Sequence, residues 1–457
     1  MKAFFQFMLC LVPIFVLPWI VGLVLKHRHV HWASRWYFGL LSIGILLMLC
    51  HALGLPLLVT YLFVLLLLIG CAFLYAQNKQ ASAITEVRAF EFSFPVLALL
   101  PLLVTSYIHI LSHPVAPADW DAISTWFFRV KLLYIWAPLK NAGWIDWGSY
   151  INYPHLGPML ETWVIHFTGQ LLETHGRLVI PTLYFFWALN HLSLAPQVFR
   201  RVYFLFIAFL GYVFFEMHPF VNGYQDGMVA ILAGMSLIHF ARFFMREDEL
   251  KGFHPDVFLG FFYAGALALV KSEGVFLGLI ISLSASLSYF LKKPGCPLKF
   301  ALRIGPYLLM QFLFILAWPL LIQMSGHDAS QLQNKAFTLS TVIHWYQNLE
   351  RWEVIGPYFG NYFLQKLPIL LACLLVSIGS FILQARSRCV LGFLWSVWVL
   401  HLIFVALPYF ATLSNLHWHL ANSFDRLIFQ HFAFYAVILA VGVSFLADKL
   451  GSFSSKT

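Results

Sequence analysis

Five short groups of residues in this 457-residue chain have the chemistry of a working site. They are Asp119-Trp120-Asp121, Tyr153-Pro154, Gly223-Tyr224-Gln225-Asp226, Lys271-Ser272-Glu273-Gly274, and His417-Trp418-His419 followed by Asp425-Arg426. A carboxylate can take the proton from an attacking hydroxyl. An Arg and a Lys can hold a phosphate, the Arg in bidentate fashion. Aromatic faces stack on sugar rings and prenyl chains. The competing reading is structural: ionisable groups at membrane depth are costly unless paired or wetted. Lys271 with Asp226, and Arg426 with Glu273, would then be interhelical ion pairs.

The elements that must position these residues are membrane spans. The chain is 61% hydrophobic and 10% charged, whereas a soluble domain carries roughly a quarter charged residues. Apolar runs near the roughly 20 residues needed to cross a bilayer recur along its whole length. They predict an all-α integral membrane protein with about 13 spans: 4–25, 37–52, 56–76, 93–112, 178–196, 202–218, 226–243, 256–270, 274–291, 304–323, 368–385, 389–409 and 427–447. The two spans flanking Gly274 are short enough to be tilted or broken. The first run has only Lys2 before it and no small-residue cleavage site after it, so it reads as a retained span rather than a signal peptide.

Basic residues set the predicted orientation. With the 26–36 loop inside, 18 of the 28 Lys and Arg residues fall on the cytoplasmic side, placing the N-terminus out and the C-terminus in. That distribution accounts for the net charge of +9 without nucleic acid as a partner. All five chemical groups then lie on the extracytoplasmic side. Two long outer segments result, 113–177 and 325–366. The first holds six of the 16 tryptophans, a residue that favours the headgroup level, and predicts amphipathic helices lying along the membrane. Glu161, His166 and Gln170 interrupt its apolar end. His155 and His175 read as interfacial. The six cysteines form no disulfide framework or metal-ligand spacing. His417 and His419, two apart on a helix, point away from each other, so no metal site is expected. Asp119 and Asp121 could still hold a divalent ion. There is no phosphate-cradling Gly-rich loop after a strand. An activated sugar outside the cytoplasm would therefore arrive on a lipid.

These motifs resemble the bacterial-type membrane glycosyltransferases of the GT-C superfamily, which use polyprenyl-phosphate-linked sugars. The likeness rests on Trp120-Asp121-Ala122 with Trp126, Lys131 and Tyr153-Pro154, then Gly223-Tyr224-x-Asp226, then Lys271-x-Glu273-Gly274, then His419 with Ser423-x-Asp425-Arg426. They occur in order over residues 93–447. The resemblance implies an inverting single displacement. Asp121, with Asp119 as its rival, would be the base on the acceptor hydroxyl, and Asp226 a second acidic residue near the site. Arg426 would grip the donor phosphate with Lys271 assisting and Glu273 orienting Lys271. Lys131, Trp126, Tyr153, His419 and Asp425 would complete the donor and acceptor site. It also implies a transferase of the inner membrane that needs no obligatory metal cofactor and acts on a lipid-linked or cell-surface glycan. Residues 1–92 are additional to the simplest family layout and read as a docking unit or an oligomer face, with 93–457 the catalytic core. A flippase for a lipid-linked glycan is the alternative, as is a polymerase or ligase using a pyrophosphate-linked donor.

Overall fold

In hydrocarbon every backbone N–H and C=O must be satisfied within the segment, which leaves the helix as the solution for isolated apolar runs. The computed structural model describes residues 2–25, 30–79, 94–112, 122–139, 153–191, 193–194, 225–246, 250, 253–292, 297–327, 345–413 and 415–454. These are helical, with no strand among the described residues. The helices are α1 (Lys2–Leu11), α2 (Leu17–Gly22), α3 (Trp32–Ala52), α4 (Leu57–Lys79), α5 (Phe94–Ser112), α6 (Phe128–Tyr134), α7 (Leu156–Thr168), α8 (Glu173–Arg177), α9 (Val179–His191), α10 (Asp226–Arg246), α11 (Pro255–Leu267), α12 (Ser272–Lys292), α13 (Pro297–Met324), α14 (Trp352–Leu383), α15 (Ser387–Ala411), α16 (Leu416–Phe429) and α17 (His431–Ser454). A π-helical stretch, Val12–Val16, joins α1 to α2 in one span.

Nine helical segments are long and apolar enough to cross a membrane, and the chain is a multi-pass helical membrane protein. They correspond to nine of the predicted spans. Three more predicted spans match shorter helices, α5, α9 and α11, and the span at 202–218 lies outside the described residues. Helix α12 is neither broken nor shortened: it runs unbroken for 21 residues. Helix α10 is the central element, with 94% of its apolar window buried, whereas α4 is peripheral at 17%.

One expectation about the long segments changes. Helix α7 does not lie on a surface. Residues 156–165 are buried throughout, packed among α1, α3, α6 and α8. Several of its polar side chains find partners inside the protein, which helps permit the burial. Thr162 donates to the Pro158 carbonyl at 2.8 Å. The Tyr61 hydroxyl donates to His166 Nδ1, whose Nε2 donates to the Tyr134 carbonyl at 3.1 Å. His155, expected at the interface, is likewise buried, its ring 4.3 Å from that of Trp318. In the second segment, α14 begins at Trp352 and continues without a break through residue 366 into the predicted span. Arg351, just before it, donates to the carbonyls of Tyr409, Phe410 and Thr412 and so closes the exposed end of α15.

The second span is tied into the rest of the bundle through Ser34. Ser34 Oγ donates to Asn190 Oδ1 at 2.8 Å and lies 3.0 Å from His239 Nε2, tying α3 to α9 and α10. The Tyr263 hydroxyl of α11 donates to the Ser34 carbonyl at 2.9 Å. His239 Nδ1 in turn lies 2.7 Å from Asp256, which also pairs with Arg246 at 2.9 Å. This buried network gathers four helices near the Arg246 end of α10. Asp226, Lys271, Glu273 and Arg426 gather at the opposite end.

Candidate functional site

The site is built from helix ends. Asp226 and Glu273 stand in the first turns of α10 and α12, where the helix dipole favours an anion. Arg426 stands in the last turn of α16, where it favours a cation. Lys271 lies in the turn between α11 and α12. That turn is tight because Gly274 permits it: a Cβ there would overlap the Leu267 carbonyl, and one on Gly278 would overlap that of Ala264. Small residues four apart let the two helices approach closely.

Packing brings these groups together. Lys271 Nζ donates to Asp226 Oδ1 at 2.9 Å and lies 3.5 Å from Glu273 Oε1. Arg426 Nε donates to Asp226 Oδ2 at 3.3 Å. The Asp226 and Lys271 side chains are only 2% and 3% exposed, whereas Glu273 and Arg426 are about a quarter exposed. The cluster therefore has a buried half and a wetted half. Its carboxylates are deployed differently from the predicted ion pairs: Arg426 meets Asp226, not Glu273.

Tyr153 and Pro154 arrive from the far side. The Leu156 amide donates to the Leu269 carbonyl at 3.0 Å, which pins the start of α7 beside the Lys271 turn. The Tyr153 phenol feels the negative charge of Glu273 most strongly, and its pKa is raised well above the usual phenol range. Burial adds to that rise, and Arg426 opposes it. Beneath it Arg129 donates to the Tyr153 carbonyl at 2.7 Å and sits over the rings of Trp126 and Tyr153, 5.3 and 5.8 Å from their centroids. Burial lowers the Arg129 guanidinium to about 9, so it stays cationic at neutral pH. Trp126 itself is buried, with its ring 5.7 Å from that of Tyr153. Among the described residues, Lys271, Arg426 and Arg129 are the cations beside Asp226, Glu273 and Tyr153.

The remaining candidates are placed as follows. Lys131 pairs with Glu173 at 3.0 Å, half exposed, and does not join the Asp226 cluster. His419 Nδ1 lies 3.0 Å from Thr412 Oγ1, its ring 5.2 Å from that of Tyr409. Tyr409 reaches Ser423 Oγ at 3.0 Å, so the Ser-x-Asp-Arg stretch is braced against α15. Asp425 is exposed. Asp119, Trp120, Asp121, Gly223 and Tyr224 lie outside the described residues. Among the described residues no three His, Cys, Asp or Glu side chains gather as metal ligands.

Two residues stand closer to the site than their sequence context suggests. Arg129, on α6 in the predicted outer segment 113–177, is wholly buried. Gln225, next to Asp226, is buried and donates through Nε2 to Glu161 Oε1 at 2.8 Å. The available signal was an ionisable residue interrupting an apolar stretch, as Glu161 does in Leu156–Leu172.

Chemically, Arg426 can offer its wetted edge to an anion while Asp226 holds it in register with the buried Lys271. With both oxygens engaged, Asp226 acts as an anchor for cations more readily than as a proton acceptor. Comparison with protein-family models, with curated proteins and with solved structures finds no match to this chain.

Proposed function

We propose that this protein is an inverting membrane glycosyltransferase that uses a polyprenyl-phosphate-linked sugar and acts at the extracytoplasmic face of the inner membrane. The observation that supports it most is the half-buried cluster of Asp226, Lys271, Glu273 and Arg426 beside Tyr153. In this reading the acceptor hydroxyl oxygen attacks the anomeric carbon and the bond from that carbon to the phosphate oxygen breaks. The bonding pair leaves with the lipid phosphate, which Arg426 and Lys271 stabilise as its charge grows. The hydroxyl proton passes to Asp121, with Asp119 as the rival base. The acceptor is a lipid-linked or cell-surface glycan. The placing of Asp226, Glu273 and Arg426 near helix ends also supports a transferase over a flippase. A transporter places its polar groups at broken helices near the midplane, whereas these sit at the ends of α10, α12 and α16.

The decisive experiment compares lipids and glycans of cells with and without the gene, together with transfer by the purified protein in proteoliposomes. Loss of one sugar from a surface glycan, with accumulation of its polyprenyl-phosphate donor, is the expected result. Unchanged glycans with a lipid-linked glycan trapped on the cytoplasmic side would favour the flippase.

A further inference from the structure

We propose that Glu161 is a positioning residue that holds Asp226 in place through Gln225; this rests on the reading of the Asp226 cluster as the site. Glu161 is 1% exposed on α7, and its Oε1 accepts the Gln225 amide at 2.8 Å. Gln225 immediately precedes Asp226, and its carbonyl accepts the Val229 amide at 3.0 Å, so it belongs to the opening of α10. The Gln225 side chain has a floor as well as a partner: a Cβ on Gly157 would overlap its Oε1. The back of Glu161 is closed too, because a Cβ on Gly176 would lie 3.0 Å from the Glu161 Cβ. One amide is thus clamped between a glycine and a buried acid, one residue away from the carboxylate that receives Lys271 and Arg426.

A purely structural role explains this poorly. An apolar side chain of similar size would pack in α7 without desolvating a carboxyl. Glu161 Oε2 moreover has no hydrogen-bond partner among the described residues. The acid is retained where the bond it makes is to Gln225. The charged groups acting on it are Arg177 and Glu173 of α8. Displacement of a catalytic group by about 1 Å can cost about 100-fold in rate, and release of the Gln225 amide frees the first turn of α10 to move by that much.

The test uses the full chain in proteoliposomes with a polyprenyl-phosphate sugar, comparing Glu161→Ala, Glu161→Gln, Gly157→Ala and Asp226→Asn. Glu161→Ala and Gly157→Ala should lower kcat by about 10- to 100-fold with little change in donor KM. Glu161→Gln should restore most of the loss, because its amide oxygen accepts the same N–H. Melting in detergent is measured alongside: Glu161→Ala combined with Asp226→Asn should lower the midpoint by less than the two single losses together. Full kcat in Glu161→Ala, or equal losses in Glu161→Ala and Glu161→Gln, with Asp226→Asn inactive, would overturn the clamp alone. Full turnover in Asp226→Asn would overturn the site reading, and additive melting losses would then reject the clamp as well.

Discussion

Neutralising Asp226 separates a working cluster from a merely structural ion pair. Asp226→Asn leaves Lys271, 3% exposed, facing Glu273 at 3.5 Å, and leaves Arg426 about a quarter hydrated. Removing one partner of a buried pair costs about 3–5 kcal/mol. Glu273 and water offset part of that here, so the lower end applies, about 3 kcal/mol. Lys271→Met strands Asp226 less completely, because Arg426 still donates to it at 3.3 Å; its expected cost is about 2 kcal/mol. The double variant removes both charges and should recover about 1–3 kcal/mol relative to additivity, as coupled neighbours do. The assay is a denaturant titration in micelles read by tryptophan fluorescence, with transfer activity measured on the same samples. Activity should stay lost in the double variant although stability returns, since the phosphate grip needs Lys271. Single costs below about 0.5 kcal/mol, or strictly additive ones, would refute the energetic argument. Recovery of turnover together with stability would refute the functional one.

The other predictions concern single positions. Burial raises the Glu161 carboxyl from 4.5 to about 7, so between those values the folded protein holds a proton that the unfolded chain has lost. Stability should therefore fall as pH rises through this window, by about 3 kcal/mol at about 1.4 kcal/mol per pH unit. Glu161→Gln should flatten that part of the profile, and parallel profiles for the two proteins would contradict the assignment. Gly274→Ala forces α12 away from the Leu267 carbonyl and should destabilise by about 1–3 kcal/mol; an unshifted melting midpoint would count against the close approach. Arg426→Ala should weaken donor binding with the acceptor KM unchanged, measured by titration with the polyprenyl-phosphate sugar; undiminished donor affinity would remove Arg426 from the phosphate. Asp121→Asn should lower kcat by about 100- to 10,000-fold. Full activity there with a dead Asp119→Asn would move the base by two residues.

Some of this was legible residue by residue. Apolar run length is a local property, and the nine long spans follow from it directly. Interfacial reading of 156–172 failed because Glu161 and His166, two of the three residues that interrupt that apolar run, looked like groups that must face water. Each instead meets a partner supplied from elsewhere in the chain. Helix α14 begins well before the predicted span at 368–385 and continues through Pro357 and Pro368. Flanking packing can satisfy the freed carbonyls of a proline-bearing membrane helix.

By itself, then, the amino-acid sequence determined that this chain must live in lipid as a bundle of helices. It also marked Asp226, Lys271, Glu273 and Arg426 as the charges that demand an explanation. Only the tertiary structure decided which charge meets which. Asp226 is joined to Lys271 across 45 residues and to Arg426 across 200, while Lys131 is drawn off to Glu173. The physical reason is that a span needs only its own apolar residues. An ion pair between spans depends on how helices pack, and that is set where Gly274 admits the Leu267 carbonyl and Gly157 admits the Gln225 amide.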